Sequence, residues 1–138
     1  MPALTYSRFN DARAHLKDLL DAAEAGRPAS VARSEQSTVL VDRERFLQQL
    51  RLVNARRVEL VAEDGGWVAL VRDAPVAADG DTVEEAIGEV IVALREYAED
   101  WSDRLHLAPN HGANWGLVQL VDHSTDDELR DWILGTGE

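Results

Sequence analysis

The segment FNDARAHLKDLLDAAEAGRPASVAR, residues 9–33, joins a helical pattern to a helix stop and a strand. Its apolar residues recur near the 3.6-residue period of an amphipathic helix, which predicts a helix over residues 10–25. Gly26 stands where a glycine commonly ends a helix, and Pro28 keeps the helix from resuming. The closing run ASVAR, residues 29–33, has the pattern of a strand. The segment therefore predicts a helix followed closely by a strand.

The flanking residues extend this pair to a small βαββα module, which we place at residues 1–55. Asn10 or Ser7 is expected to cap the first helix, and Asp42 is expected to cap a second helix. The predicted order is a strand at 2–6, the helix at 10–25, strands at 29–33 and 37–42 joined by the polar turn 34–36, and a helix reaching residue 54. A module of this length buries little apolar surface alone, so we expect a homodimer.

Residues 56–138 predict a second domain, and the boundary falls in Asn54-Ala55-Arg56-Arg57. Two β-rich runs flank a glycine-bearing turn, which is typical of a hairpin. Thr82 with Glu85 three residues later predicts a capped helix start. The predicted order is strands at 58–62, 67–71 and 76–78, a long helix from 82 to 104, a loop at 106–114, a strand at 116–121 and a last short helix closed by Gly135. The whole chain is therefore expected to belong to the α+β class.

The formal charge of −12 is divided unevenly along the chain. Residues 1–57 contain ten Lys or Arg and seven Asp or Glu, which gives +3. Residues 58–138 contain four Lys or Arg and nineteen Asp or Glu, which gives −15. A mildly basic part can meet nucleic acid, whereas a strongly acidic part repels phosphate and attracts a basic protein. The alternative to two partners of opposite charge is an acidic surface that is solvated and only keeps the protein soluble.

Several function classes find no support in the sequence. The chain has no cysteine, which excludes disulfides and thiolate metal sites and suits the cytoplasm. No apolar run has the length of a membrane helix, and the N-terminus lacks the pattern of a secretion signal. The spacings of His106, His111 and His123 fit no standard zinc signature. We expect a cytoplasmic protein with no catalytic residues, no metal and no cofactor.

Arginines in the first module are candidates for contacts with DNA. Arginine suits bidentate contacts with guanine, and groups near a helix N-terminus can donate to phosphate. A homodimer would present each group twice, matching a pseudo-palindromic operator. The candidate DNA-binding residues are Ser7, Arg8, Asn10, Arg13 and Arg33.

The order of motifs over residues 3–52 resembles the prevent-host-death (Phd/YefM) antitoxin family. The similar residues are Phe9-Asn10-Asp11-Ala12-Arg13-Ala14-His15-Leu16, then Gly26-Arg27-Pro28, then Val31-Ala32-Arg33. The resemblance implies a dimer that binds operator DNA through residues matching Asn10, Arg13 and Arg33. Two departures stand out. His15 replaces the usual asparagine, and Ser34-Glu35-Gln36-Ser37 replaces a usually basic turn that contains glycine.

Residues 58–100 resemble a HicB-like antitoxin domain. The similar residues are Glu63-Asp64-Gly65-Gly66-Trp67, then Pro75, then Gly80-Asp81-Thr82-Val83-Glu84-Glu85-Ala86. The resemblance implies a hairpin, a third strand and a long helix, and a domain that binds a toxin ribonuclease. The segment Asp73-Ala74-Pro75-Val76 departs from the usual Pro-Gly-Cys type of this family.

The C-terminal part supplies the candidate toxin-binding residues. Tryptophan is enriched at interface hot spots, and acidic residues would complement a basic toxin. The alternative role of the tryptophans, and of Trp132 above all, is burial in the core. The alternative role of the acids is to form the solvated start of a helix. The candidates are Trp101, Trp115, Asp126, Asp127, Glu128 and Trp132.

Together these patterns favour a type II antitoxin with two functions. Residues 1–55 would dimerise and bind operator DNA, and residues 56–138 would bind a basic toxin. The alternative is a dimeric adaptor or stand-alone regulator that never contacts DNA, which the small positive charge and Glu35 favour.

Overall fold

A computed structural model of the chain describes residues 3–135 and confirms the α+β class. This part of the chain contains two three-stranded sheets and six α-helices. It divides into two compact units, one up to Phe46 and one from Leu47 onward. The division therefore falls inside the third helix, earlier than the sequence boundary at residues 54–57. No helix of the described residues is long and apolar enough to cross a membrane.

The first unit is the expected small module. Strand β2 pairs in parallel with β1 and antiparallel with β3, in the order β1-β2-β3. Its core consists of Ala12, Leu19, Ala22 and Ala29, with Leu4, Tyr6, Val31 and Leu40 packed against them. The elements are β1 (Leu4–Tyr6), α1 (Phe9–Ala14), α2 (Leu16–Glu24), β2 (Ala29–Arg33), β3 (Gln36–Leu40) and α3 (Arg43–Val53), which continues into the second unit. Residue 2 of the predicted first strand lies outside the described residues.

The predicted helix over residues 10–25 is interrupted at His15, which separates α1 from α2. The His15 backbone leaves the helical region, and its Nδ1 lies 2.8 Å from the Asp11 carbonyl oxygen. Its ring stacks on Tyr6 with centroids 5.3 Å apart. These local contacts compete with the helical hydrogen bonds, as polar side chains often do near helix ends. The expected side-chain cap is also wrong, because Arg8 occupies the cap position and forms no side-chain cap bond.

The start of α3 is capped as the sequence predicts. The Arg45 backbone N–H donates to an Asp42 carboxylate oxygen at 3.3 Å. The Arg45 guanidinium donates to the other Asp42 oxygen at 2.6 Å and to the Glu24 carbonyl at 3.0 Å. The cap therefore also joins the start of α3 to the end of α2.

The second unit packs a three-stranded antiparallel sheet, in the order β4-β5-β6, against a long helix. The core side chains Val58, Ala69 and Val71 point from the sheet toward the buried residues of this helix. The elements are β4 (Val58–Glu63), β5 (Gly66–Val71), β6 (Ala77–Gly80), α4 (Val83–Asp103), two 3₁₀ turns (Leu105–Leu107 and Pro109–Asn114), α5 (Trp115–His123) and α6 (Asp126–Leu134).

Local sequence signals explain the hairpin turn of this unit and the start of its long helix. Asp64 and Gly65 both have positive φ, 48° and 80°, as a two-residue hairpin turn requires. Thr82 accepts a hydrogen bond from the Glu85 N–H and caps α4 as predicted. Gly80 lies so close to α4 that an added Cβ would be 2.5 Å from the Ala86 nitrogen. Glycine at position 80 thus allows β6 to meet the helix that follows it.

The prediction of a strand at residues 116–121 is wrong, because this segment lies in α5. Four apolar side chains of α5 are buried: Leu117, Val118, Leu120 and Val121. Their spacing of i, i+1, i+3 and i+4 places them on one face of a helix. The polar Gln119 would have interrupted the alternation of a strand. The last helix confirms its prediction, with a capping box at Thr125 and Glu128 and a left-handed Gly135 at its end.

Candidate functional site

The five candidate DNA-binding residues lie around the start of α1 in the first unit. Ser7 and Arg8 connect β1 to α1, Asn10 and Arg13 lie on α1, and Arg33 ends β2. All five are exposed. The structure brings Arg33 to this group, because its guanidinium carbon lies 5.8 Å from the centroid of the Phe9 ring. That distance is within the range of a cation–π contact.

Side chains, rather than the end of α1, would have to contact a phosphate here. The helix has only six residues, and a dipole effect grows from many aligned peptide groups. No ion pair joins Arg8, Arg13 or Arg33 to another group within residues 3–135. Three arginines are thus left with exposed guanidinium groups, as phosphate or base recognition requires.

Glu35 lies beside this group of arginines. It follows Ser34, whose φ of 54° is positive, in the turn that joins β2 to β3. Arg33 pairs with Gln36 across the two strands, so Glu35 lies at the exposed tip next to Arg33. Its carboxylate would repel a phosphate that approached this tip.

The three candidate tryptophans of the second unit have different environments. Trp132 is only 7% exposed, and its indole N–H donates to the Asn54 carbonyl at 3.1 Å. Trp101 is half-buried and donates to the His111 carbonyl at 2.9 Å. Trp115, at the start of α5, is 49% exposed. Trp115 is therefore the most exposed of the three candidate tryptophans.

The three acidic candidates at the start of α6 also differ. Asp126 accepts hydrogen bonds from Arg95, the shorter at 2.7 Å. Glu128 completes the capping box with its bond from the Thr125 N–H at 2.8 Å. Asp127 is exposed. Two of the three carboxylates therefore have structural partners, although all three add negative charge to the start of α6.

A polar network around Arg57 is the feature that sequence reasoning missed. The Arg57 guanidinium donates to the side-chain oxygens of Asn54 and Asn114 and to the carbonyls of Arg72 and Asp73. Asn114 in turn donates to the Tyr97 hydroxyl at 2.9 Å. Partial burial lowers the pKa of Arg57 below its ordinary value, because desolvation disfavours the charged form. The network joins the segment between α3 and β4 and the segment that follows β5 to α4 and the second 3₁₀ turn, inside one unit.

His106 and His111 belong to this structural framework. Tyr97 OH lies 2.8 Å from His111 Nδ1, and His106 Nδ1 lies 3.1 Å from the Trp101 carbonyl oxygen. Within residues 3–135, no group of three or more His, Cys, Asp or Glu side chains is placed to hold a metal ion.

Residues 1–128 match the model of the PHD-like family, described as the antitoxin of toxin–antitoxin, RelE/RelB, TA system. The match covers most of the chain, and the chain therefore belongs to this family of antitoxins. Membership implies a cognate toxin as partner and a regulatory role.

A solved structure shares the fold. It is a crystal structure from Syntrophomonas wolfei subsp. wolfei of the antitoxin part of a proposed toxin/antitoxin system. The two proteins are 20% identical, the similarity covers 96% of each chain, and the TM-score is 0.77. Identity at this level shows the fold alone. No curated protein matches the chain.

Proposed function

We propose that this antitoxin is a cytoplasmic type II antitoxin that neutralises its toxin by direct binding and represses its own operon. The observation that supports this division is the charge of the chain, +3 over residues 1–57 and −15 over residues 58–138. A basic toxin as partner accounts for the acid of residues 58–138, and operator DNA accounts for the exposed arginines of the first unit.

The first unit is proposed to bind operator DNA as a homodimer. Arg8, Arg13 and Arg33 are exposed around the start of α1, and Ser7 and Asn10 add hydrogen-bonding groups beside them. Two copies would double the number of phosphate contacts, which raises affinity and its dependence on salt. The small alanine-rich core of this unit also favours association with a second copy.

The second unit is proposed to bind a basic toxin, and the toxin is proposed to be a ribonuclease. A ribonuclease needs positive charge to bind the phosphate backbone of its RNA substrate, and an acidic partner is suited to cover that charge. The attraction would also accelerate capture of the toxin at low ionic strength. Trp115 is the candidate tryptophan best exposed for contact, and Asp127 adds exposed charge.

Capture of the partner tests the toxin-binding part of this proposal. The tagged full-length protein is purified from its native cells at low salt, and the co-purifying proteins are identified by mass spectrometry. A small basic partner in near-stoichiometric amount is expected, with ribonuclease activity that disappears when the antitoxin is added. A partner that binds but has no ribonuclease activity would contradict the ribonuclease assignment alone. The absence of any basic partner would contradict direct neutralisation.

Gel-shift titration on the DNA upstream of the gene tests the repressor part. The variant Arg13→Ala with Arg33→Ala is expected to bind about 100-fold more weakly and to show a shallower salt slope, because each phosphate contact contributes to that slope. The control variant Arg104→Ala, on an exposed arginine of the second unit, is expected to bind normally. Unchanged affinity and slope in the double variant would contradict DNA binding through this surface.

A dimeric adaptor that never binds DNA is the second candidate function. Glu35 beside Arg33 and the small net charge of +3 favour it. In that case the wild-type protein captures its partner but causes no gel shift at any salt concentration.

A further inference from the structure

We infer that the cognate toxin docks on the outer face of the β4–β5–β6 sheet, the face turned away from α4. This inference rests on the proposed function, because it takes a basic toxin as the partner. The proposed surface contains neither the candidate tryptophans nor the acidic residues at the start of α6. We call this surface the outer sheet face.

Strand register defines the outer sheet face. Side chains alternate between the two faces of a sheet, and Val58, Ala69 and Val71 are buried on the inner face. The intervening residues therefore point outward. Cross-strand pairing then aligns them in two rows, Val61 with Val68 and Asp79, and Glu59 with Leu70 and Ala77.

The centre of the outer sheet face is apolar. An antiparallel sheet with one face in water normally alternates apolar residues inward and polar residues outward. Here Val61 is 41% exposed and Leu70 is 42% exposed, with Val68 and Ala77 as their neighbours. Such a run of outward apolar residues on adjacent strands is typical of a surface that a partner covers.

Acidic residues border this apolar centre. Glu59 and Glu63 on β4 and Asp79 on β6 share the outer sheet face and are exposed, with Arg72 as the basic residue just beyond β5. At the hairpin end of the sheet, beside the start of α4, a cavity of about 480 Å³ is lined by the acids Glu63, Asp64, Asp79, Asp81 and Glu85. An apolar centre with a charged border is the ordinary anatomy of a protein interface, and the sign of this border selects a basic partner.

The dimensions of the face suit the centre of an interface. A six-residue strand spans about 20 Å, and the axes of three adjacent strands span about 10 Å. A stable interface buries roughly 800 Å² on each partner, so the apolar centre would be its core and the surrounding acids its border. The cavity at the hairpin end is suited to an arginine or lysine of the toxin.

The experiment measures affinity for the toxin that the wild-type protein captures. The test variant is Val61→Lys with Leu70→Lys in the full chain, which removes two apolar contacts and adds charge that repels a basic partner. We expect binding about 100-fold weaker, as for two residues at the centre of an interface. A matched control, Val92→Lys with Leu107→Lys, makes the same charge change at aliphatic residues that are 52% and 80% exposed elsewhere in this unit. The control is expected to bind within about threefold of wild type.

A second variant guards against a folding defect. Glu59→Lys with Asp79→Lys changes only exposed border residues, and we expect its association rate to fall about tenfold at low salt and to approach wild type at high salt. Near-normal binding by both test variants, or equal losses in the control, would overturn the outer sheet face as the docking site. In that outcome capture by the wild type would still support the antitoxin function. If the wild type captures no basic partner, the proposed function fails, and this inference fails with it.

Discussion

The two units differ in how they use their side chains. The first unit buries a small core dominated by alanine, Ala12, Ala22 and Ala29 around Leu19, and leaves its arginines exposed. The second unit buries large aliphatic side chains such as Ile87, Leu94 and Leu117, and places an arginine inside a polar network. The comparison teaches that the two units treat arginine differently: Arg8, Arg13 and Arg33 stay exposed in the first unit, whereas Arg57 is held by hydrogen bonds in the second. Substitutions should therefore have different signatures in the two units.

The largest expected effect is the loss of stability caused by Trp132→Ala. Truncating a buried tryptophan removes much apolar contact and leaves a cavity, which costs about 3–5 kcal/mol in free energy of unfolding. Trp132→Phe keeps most of the packing and loses the hydrogen bond to Asn54, so it should cost less. Urea unfolding of both variants provides the measurement. The exposed Trp115→Ala is the control, with an expected loss below about 1 kcal/mol. Equal losses at the two tryptophans would contradict the distinction between them.

The next effect is the loss of the polar network in Arg57→Ala. This change leaves Asn54 and Asn114 without their guanidinium partner, which is expected to cost about 2–3 kcal/mol. Arg104→Ala removes an exposed arginine of the same unit, whose nearest carboxylate oxygen is 4.0 Å away, and should cost less than about 0.5 kcal/mol. Chemical unfolding measures both. If Arg57→Ala lowered the free energy of unfolding no more than Arg104→Ala does, the network would not stabilise the second unit.

A smaller effect is expected from Glu35→Lys in the first unit. Replacing the acid beside Arg33 removes a repulsion and adds a phosphate contact, so DNA affinity should rise about tenfold and the salt slope should increase by about one. Gel shifts at several salt concentrations give both values. Glu24→Lys changes an exposed acid at the end of α2 by the same charge and should act weakly. An equal gain from Glu24→Lys would mean that net charge, rather than this surface, determines affinity.

The smallest effect is the dependence of stability on pH at Asp42. Its hydrogen bond from Arg45 lowers the pKa of the Asp42 carboxyl below its ordinary value. The stabilisation is therefore fully present above the unfolded pKa of about 4, and is lost as the pH falls through the lower folded pKa. Melting temperatures of the wild type and Asp42→Asn should differ at pH 7 and converge near pH 2. A difference at Asp42 that stays constant over this pH range would exclude this origin.

Local signals in the sequence predicted most of the fold. The aspartate–glycine turn, the Thr82 cap and Gly26, whose φ is 79°, act over a few residues, so their effect can be read directly from the sequence. The error at α5 arose because a short apolar run rich in valine suits either a strand or a buried helix. The positions of its four buried residues already favoured the helix. At the break, the ring of His15 stacks on Tyr6 of β1, a contact that no helical pattern contains.

The candidate sites were less predictable, because they depend on residues that are distant in the sequence. Nothing local indicates that Arg57 meets Asn114, and the sequence instead predicted a domain boundary at residues 54–57. Likewise the sequence leaves open whether Trp132 is exposed or buried, because its hydrogen-bond partner, Asn54, is distant along the chain. The sequence alone indicates the arginines of the first unit as candidates, because an exposed charged residue needs no partner from elsewhere in the chain. Their use in DNA binding stays a prediction.

The continuity of α3 has a practical consequence for dissecting the protein into fragments. The boundary predicted from the sequence suggests a cut near residue 56, yet Leu47, Leu50 and Asn54 are buried residues of the second unit. A fragment that begins after them would expose the sites they fill and lack the carbonyl that receives the Trp132 indole. A fragment that begins at Arg43, with the whole of α3, retains them. A fragment cut at this predicted boundary would therefore be unstable. Its failure to bind a toxin would be mistaken for a lack of binding activity.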